Sequence, residues 1–170
     1  MKNNCVSSIL TFMVVTDFIG FISCGSDDDT SSSVYGENGM SVVSNLNAEQ
    51  LIGLWEPYHV KAWGENFEAE ADVGQNGMDY TEVHRFEFDT NGHFQSYSYE
   101  NYNYSGEWKW IPNGHKGSYV IEGYHVFIYK NSLDAPPRND FIVNKIKANE
   151  LVLTEYKNRL FNQYYLKRVN

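Results

Sequence analysis

Polar and apolar residues alternate along most of the chain from residue 81 onward. The segments "TEVHRFEF" (81–88), "HFQSYSYEN" (93–101) and "YNYSGEWKWI" (102–111) show the alternation most clearly. A period of two is typical of a β-strand that buries one face. Further strands are predicted at 54–63, 117–122, 124–130, 141–147, 150–156 and 160–168.

Turn-forming residues separate these segments. Asp89-Thr90-Asn91-Gly92 is a strong hairpin signal, and Pro112-Asn113-Gly114 is predicted to turn the chain. The segment 64–80 is predicted to be a long acidic loop. A single helical turn is predicted near 47–52, where Asn47 and Gln50 have the spacing of a capping box.

Eight or nine short strands with almost no helix predict an all-β fold. The candidates are an antiparallel up-and-down β-barrel and a sandwich. We expect the barrel, over residues 45–170, because closure removes the exposed strand edges.

The N-terminal segment has the pattern of a targeting sequence. Lys2 precedes a mostly apolar run from Val6 to Ser23, which ends in Phe21-Ile22-Ser23-Cys24. This ending resembles the lipobox of bacterial lipoproteins. The resemblance implies that residues 1–23 are a signal peptide, and that Cys24 becomes a lipidated N-terminus whose acyl chains anchor the protein to a membrane. The alternative is an ordinary secretory signal followed by a linker.

Residues 24–44 are predicted to be a flexible tether, because "GSDDDTSSSVYGENGMSVVS" is rich in Ser, Asp and Gly and has no periodicity. The acidic run directly after Cys24 resembles a surface-display signal. We therefore expect an outer-membrane lipoprotein of a Gram-negative bacterium, exposed on the cell surface, with a periplasm-facing position as the alternative. Cleavage would remove Cys5, and lipidation would consume Cys24, so the mature domain would have no thiol.

The charge of the chain excludes one class of function. The formal net charge is −9 over 170 residues, which is the opposite of the basic footprint that nucleic-acid binding needs. We expect no nucleic-acid partner, and we expect a monomer.

Aromatic residues are frequent, at 16% of the chain, and several follow one another at alternate positions. The candidate ligand-binding residues are Tyr97, Tyr99, Tyr102, Tyr104, Trp108 and Trp110. They could form the wall of a ligand pocket or a platform that stacks on sugar rings. They could equally pair across strands in the core.

The sequence offers little for catalysis or metal binding. The five histidines have no zinc-ligand spacing and are expected at the surface; they are His59, His84, His93, His115 and His125. A nucleophile elbow and a phosphate-binding glycine loop are both absent from the sequence. We expect no enzyme, no cofactor and no metal.

Several short motifs resemble lipocalins. Gly53-Leu54-Trp55 matches the Gly-x-Trp that opens the first lipocalin strand after a short helical turn. "FEFDTNG" (86–92), "GSYVIEGYHVFI" (117–128) and "YYLKR" (164–168) resemble hairpins and the closing strand of lipocalin-like domains in bacterial lipoproteins.

The resemblance implies a barrel closed at one end by Gly53, Trp55 and a basic residue, Arg168 or Lys167, that packs across the tryptophan. It also implies a ligand cavity at the other end, under the 64–80 loop. We therefore expect a small apolar or amphipathic ligand. The alternative is a filled barrel that binds a glycan or another envelope protein through exposed aromatic residues.

Overall fold

The computed structural model describes residues 33–35, 39–74, 78–102, 106–130 and 132–170, with side chains from residue 39 onward except that of Tyr102. The predicted signal peptide, Cys24 and the acidic run lie outside the described residues. The elements are β1 (Ser33–Tyr35), β2 (Ser41–Val43), α1 (Ala48–Leu51), β3 (Gly53–Gly64), β4 (Phe67–Asp72), a 3-10 helix (Tyr80–Glu82), β5 (His84–Phe88), β6 (His93–Tyr102), β7 (Glu107–Glu122), β8 (His125–Tyr129), β9 (Asn139–Lys147), β10 (Glu150–Lys157) and β11 (Leu160–Val169).

Eight strands form a closed antiparallel barrel. Strands β5 to β11 pair in chain order, β5 also pairs with β3, and β11 returns to β3. The all-β up-and-down barrel is therefore confirmed, with β4 as an extra strand. The helical turn is also confirmed, because the Asn47 side chain accepts from the backbone N–H of Gln50 at 3.1 Å and the Gln50 side chain accepts from that of Asn47 at 3.0 Å. In the described part of the chain, none of the helices is long and apolar enough to cross a membrane.

The predicted 64–80 loop is wrong over its first half. Residues Phe67–Asp72 form β4 and pair with His59–Gly64 of β3. Acids alternate with other residues in "FEAEAD", so they share one face, where Glu68 pairs with Lys61 at 2.6 Å. The acidic composition concealed a strand whose charges face solvent.

The predicted turn at Pro112-Asn113-Gly114 is also wrong, because β7 continues through it. Tyr97 of β6 lies opposite Pro112, whereas Gln95 lies opposite Lys116. The extra residues on β7 form a bulge, a feature that uses the same residue types as a turn.

The packed part of the chain begins earlier than residue 45. Strand β2 lies within the predicted tether, yet Val42 and Val43 are buried. The Asn144 side chain donates to the Ser41 carbonyl at 2.9 Å and holds β2 against β9. The last part of the predicted tether therefore belongs to the domain.

The hydrophobic core fills the part of the barrel interior that extends from Trp55 to Phe86, Phe94 and Phe141. Trp55 is fully buried, and its indole N–H donates to the Leu51 carbonyl at 2.7 Å. The core cluster also includes Phe86, Phe88, Phe94, Val126, Ile128, Phe141, Val143, Ile146, Leu151, Leu153 and Leu166. We call the Trp55 end the closed end, and the end with the β3–β4 and β10–β11 turns the open end.

Candidate ligand-binding site

Arg168 seals the closed end. Its guanidinium carbon lies 4.2 Å from the centroid of the Trp55 ring. The same group donates to the carbonyls of Ala148 at 2.7 Å, Gln50 at 3.1 Å and Ile52. These bonds tie the β9–β10 turn to α1 across the barrel bottom, which is the arrangement that the lipocalin resemblance implies.

Gly53 leaves the space that Arg168 needs. Its φ is +139°, and a Cβ at this position would collide with the guanidinium of Arg168. Glycine is therefore required here both by backbone conformation and by close approach. The guanidinium of Arg168 therefore covers Trp55 at this end of the barrel.

The open end is hollow. A cavity of about 330 Å³, here called the open-end cavity, lies inside the barrel mouth. Its floor is aromatic and is formed by Phe86, Phe94, Phe141 and Tyr164. Phe86 links the floor together, with its ring centroid 5.9 Å from that of Phe94, 5.6 Å from that of Phe141 and 5.7 Å from that of Tyr164.

The sequence creates this cavity by a change of residue type along the strands. From the closed end to the open end, the inward-facing residues of β10 are Leu151, Leu153 and Glu155. Those of β5, in the same direction, are Phe88, Phe86 and His84. Apolar side chains fill the lower barrel and polar ones line the mouth. The polar wall includes His84, Ser96, His115, Asn139, Glu155 and Asn162, with Glu82, Lys157 and Asn158 nearer the rim.

Hydrogen bonds organise this polar wall. Ser96 donates to the Asn113 side-chain oxygen at 2.6 Å, and Asn113 donates to Ser98 at 3.0 Å. Asn139 donates its amide N–H to Glu155, whose residue is 8% exposed. The bulge in β7 therefore serves the site, since it brings Asn113 over the serines of β6.

The two histidines of the wall are close to one another, with ring centroids 6.1 Å apart. Burial lowers the pKa of His84 below its usual value, and burial followed by the charge of Arg138 lowers the pKa of His115. Both rings are therefore neutral at neutral pH. Burial, with a smaller effect of Glu155, raises the pKa of the Tyr164 hydroxyl, which stays protonated.

The predicted aromatic candidates lie elsewhere. Tyr97, Tyr99, Trp108 and Trp110 point to the outer face of β6 and β7, away from the open-end cavity. Tyr97 donates to Glu87 on the same outer face. The side chain of Tyr102, and all of Tyr104, lie outside the described residues.

Three of these residues form an outer aromatic cluster with Tyr80. Tyr99 stacks on Trp108 at 5.8 Å and lies 5.2 Å from Trp110, which Arg85 covers at 4.5 Å. Trp108 is 50% exposed. The cluster is a surface platform and does not form a pocket wall.

A second concavity lies on the outer surface of the barrel. This outer groove of about 750 Å³ runs between β2 and the β3–β4 hairpin. Met40, Trp63 and Phe67 form its sides, and Val152 and Tyr165 form part of its floor. It is a competing binding surface that any ligand experiment must separate from the open-end cavity.

Sequence reasoning missed the residues of the open-end cavity. His84 and His115 were expected at the surface, but they line the cavity. The alternation of residues along β5 could have indicated that His84 points inward, because His84 shares a strand face with the buried Phe86 and Phe88. The same alternation places Glu155 on the face of Leu151 and Leu153.

Comparison with protein-family models and with curated proteins finds no match for this chain. The closed antiparallel barrel is consistent with a lipocalin-like fold.

Proposed function

We propose that this protein binds a small amphipathic molecule in the open-end cavity. One observation carries the proposal: the barrel is packed from Trp55 up to the aromatic floor and is hollow above it. A volume of about 330 Å³ is within the range of small-molecule sites. An eight-stranded barrel has an interior just wide enough for one small ligand.

The lining favours an amphipathic ligand over a purely apolar one. The floor offers the ring surfaces of Phe86, Phe94 and Phe141 to an apolar group. The wall above it offers donors and acceptors from Asn139, Glu155 and the neutral histidines. A purely apolar ligand would remove these polar groups from water without replacing their hydrogen bonds, which is unfavourable.

A fluorescence titration with the neutral probe N-phenyl-1-naphthylamine tests the proposal. Asn162 lines the cavity and makes no side-chain hydrogen bond among the described residues, so Asn162→Trp fills the cavity without removing one. We expect this variant to weaken probe binding by about tenfold or more, since the ligand loses its space. Trp63→Ala, which removes a side of the outer groove, is the matched control and should bind like the parent protein.

The opposite pattern would refute the proposal. If Trp63→Ala abolished binding and Asn162→Trp did not, the outer groove would be the binding site. Equal binding by all three proteins would show that the probe adheres nonspecifically.

We further propose that the domain is anchored to the outer membrane through lipidated Cys24 and is displayed at the cell surface. The support is the lipobox-like segment and the acidic run that follows it. Cys24→Ala should move the protein from the membrane fraction to the soluble fraction and stop incorporation of labelled fatty acid. Retention of the variant in membranes with its label intact would exclude lipidation at this residue.

A further inference from the structure

We infer that the ligand of the open-end cavity is an organic cation, a protonated amine attached to an apolar or aromatic body, and that Glu155 is its counterion. The inference rests on the proposed function and specifies the class of ligand. It is carried by a buried acidic side chain that faces the cavity without a cationic partner.

The surroundings of Glu155 are well defined. It lies on β10, opposite Phe141 of β9 and Asn162 of β11, and is 8% exposed. Among the described residues, Asn139 alone donates a hydrogen bond to it, and no ion pair includes it. A buried carboxylate is strongly unfavourable unless it is paired and fully hydrogen-bonded, so a cation in the cavity would supply the missing interaction.

The protein's own cations do not fill this role. Lys157 also lines the cavity, two residues further toward the open end, but it is exposed and lies beyond ion-pair distance of Glu155. Arg138 lies close enough to His115 on β7 for its charge to lower the pKa of that histidine, and it makes no ion pair with Glu155 among the described residues. The wall histidines contribute no charge at neutral pH, because burial lowers their pKa values.

The lining of the open-end cavity has a negative formal charge, which favours a cationic ligand. The lining includes two carboxylates, Glu82 and Glu155, and one ammonium group, Lys157, so its formal charge is −1 with neutral histidines. The carboxylate lies deeper than the ammonium group, one inward position above Leu153. A ligand that enters the cavity therefore meets the carboxylate next to the floor.

The aromatic floor suits the same ligand. Phe86, Phe94 and Phe141 line the same cavity as Glu155, and Phe141 lies directly opposite it on β9. Such rings accept an apolar body and also attract an adjacent cation. An ammonium group would therefore contact Glu155 while the body of the ligand packs on the floor.

Three probes with the same indole body separate charge from shape: tryptamine, tryptophol and indole-3-acetate. Equilibrium dialysis against the full-length protein at pH 7.5 measures each affinity. We expect tryptamine to bind about tenfold more tightly than neutral tryptophol, since a partly buried ion pair contributes roughly that factor. Indole-3-acetate should bind most weakly because its carboxylate would approach Glu155.

Two variants assign the preference to Glu155. Glu155→Gln keeps the side-chain shape and an acceptor for Asn139, so it should remove the preference for tryptamine, measured as the ratio of tryptamine to tryptophol affinity. Lys157→Gln removes the nearby positive charge and should strengthen tryptamine binding. Circular dichroism of each variant verifies that the barrel is folded.

The inference is overturned if folded Glu155→Gln keeps the parent preference for tryptamine, or if the parent protein binds tryptophol as tightly as tryptamine. Neither result decides the proposed function, which the N-phenyl-1-naphthylamine titration tests with a neutral probe and with variants at the cavity and at the outer groove. Absence of binding by all three probes also overturns the inference, and the N-phenyl-1-naphthylamine titration then decides the proposed function separately.

Discussion

Replacing Arg168 by methionine removes the group that joins α1 to the β9–β10 turn. The substitution keeps an apolar stem over Trp55 but loses the three hydrogen bonds to the carbonyls of Gln50, Ile52 and Ala148. Arg168 is half-buried, so its guanidinium is partly removed from water, and this burial lowers its pKa. The lost bonds are therefore not simply exchanged for bonds to solvent.

The magnitude follows from these contacts. Each hydrogen bond contributes about 1 kcal/mol net, and the stacking of the guanidinium on Trp55 adds about 1 kcal/mol. Because the contacts share one side chain, their effects are not fully additive, and we expect a loss of about 3 kcal/mol in the free energy of unfolding. Arg168→Lys should lose about half as much, since an ammonium group cannot reach three divergent carbonyls while stacking on a ring.

Urea unfolding followed by tryptophan fluorescence measures these differences. Lys167→Met is the control, because Lys167 is the adjacent residue, is exposed and makes one ion pair with Glu56 at 3.3 Å. Glu56 is buried but keeps its ion pair with Arg85 when Lys167 is replaced, so we expect this control to lose at most about 1 kcal/mol. If Arg168→Met unfolded at the same urea concentration as Lys167→Met, the reasoning about barrel closure would be refuted.

Two further predictions concern the pH dependence of stability and the packing of β7. The pKa values of His84 and His115 are lowered by burial from the usual 6.5, so the unfolded chain binds protons more readily than the folded one. The stabilising effect of the neutral histidines should therefore be fully present above about pH 7 and should decrease as the pH falls through about 6. Urea unfolding midpoints measured at about pH 7 and at about pH 6 test this. If the midpoint of His84→Asn fell with pH as steeply as that of the parent protein, the reasoning would be contradicted. Gly117→Ala should destabilise the barrel by about 2 kcal/mol or more, because its Cβ would overlap the backbone oxygen of Tyr129. Gly114→Ala is the matched control, since a Cβ there has nothing within 4 Å; equal unfolding midpoints for the two variants would show that the close approach has no energetic consequence.

The all-β fold could be predicted from the sequence because the alternation of polar and apolar residues is a local signal. The segments "FEF" and "YVI" have a strand period, and Gly53 and Trp55 mark the closed end. Periodicity reports which side chains share a face, but it does not report which face points inward. Tyr97 and Tyr99 were natural candidates for the interior, yet they lie outside.

The inward face of the same strand carries Ser96 and Ser98. They are favourable inside because Asn113 bonds to both, and that contact depends on a bulge in another strand. Pro112-Asn113-Gly114 looks locally like a turn, and only the pairing of β6 with β7 distinguishes a bulge from it. The open-end cavity could therefore not be derived without the tertiary register.

Pairing between the first and last strands of the barrel governs how the chain can fold. Val169 of β11 pairs with Leu54 of β3, so closure joins positions near the two ends of the domain. Contacts of such long range slow folding, because the loop between them must be ordered before they form. The barrel therefore stays an open sheet until β11, which is ten residues long, pairs with β3. Such an intermediate exposes the edges of β3 and β10, which makes it prone to pair with other chains.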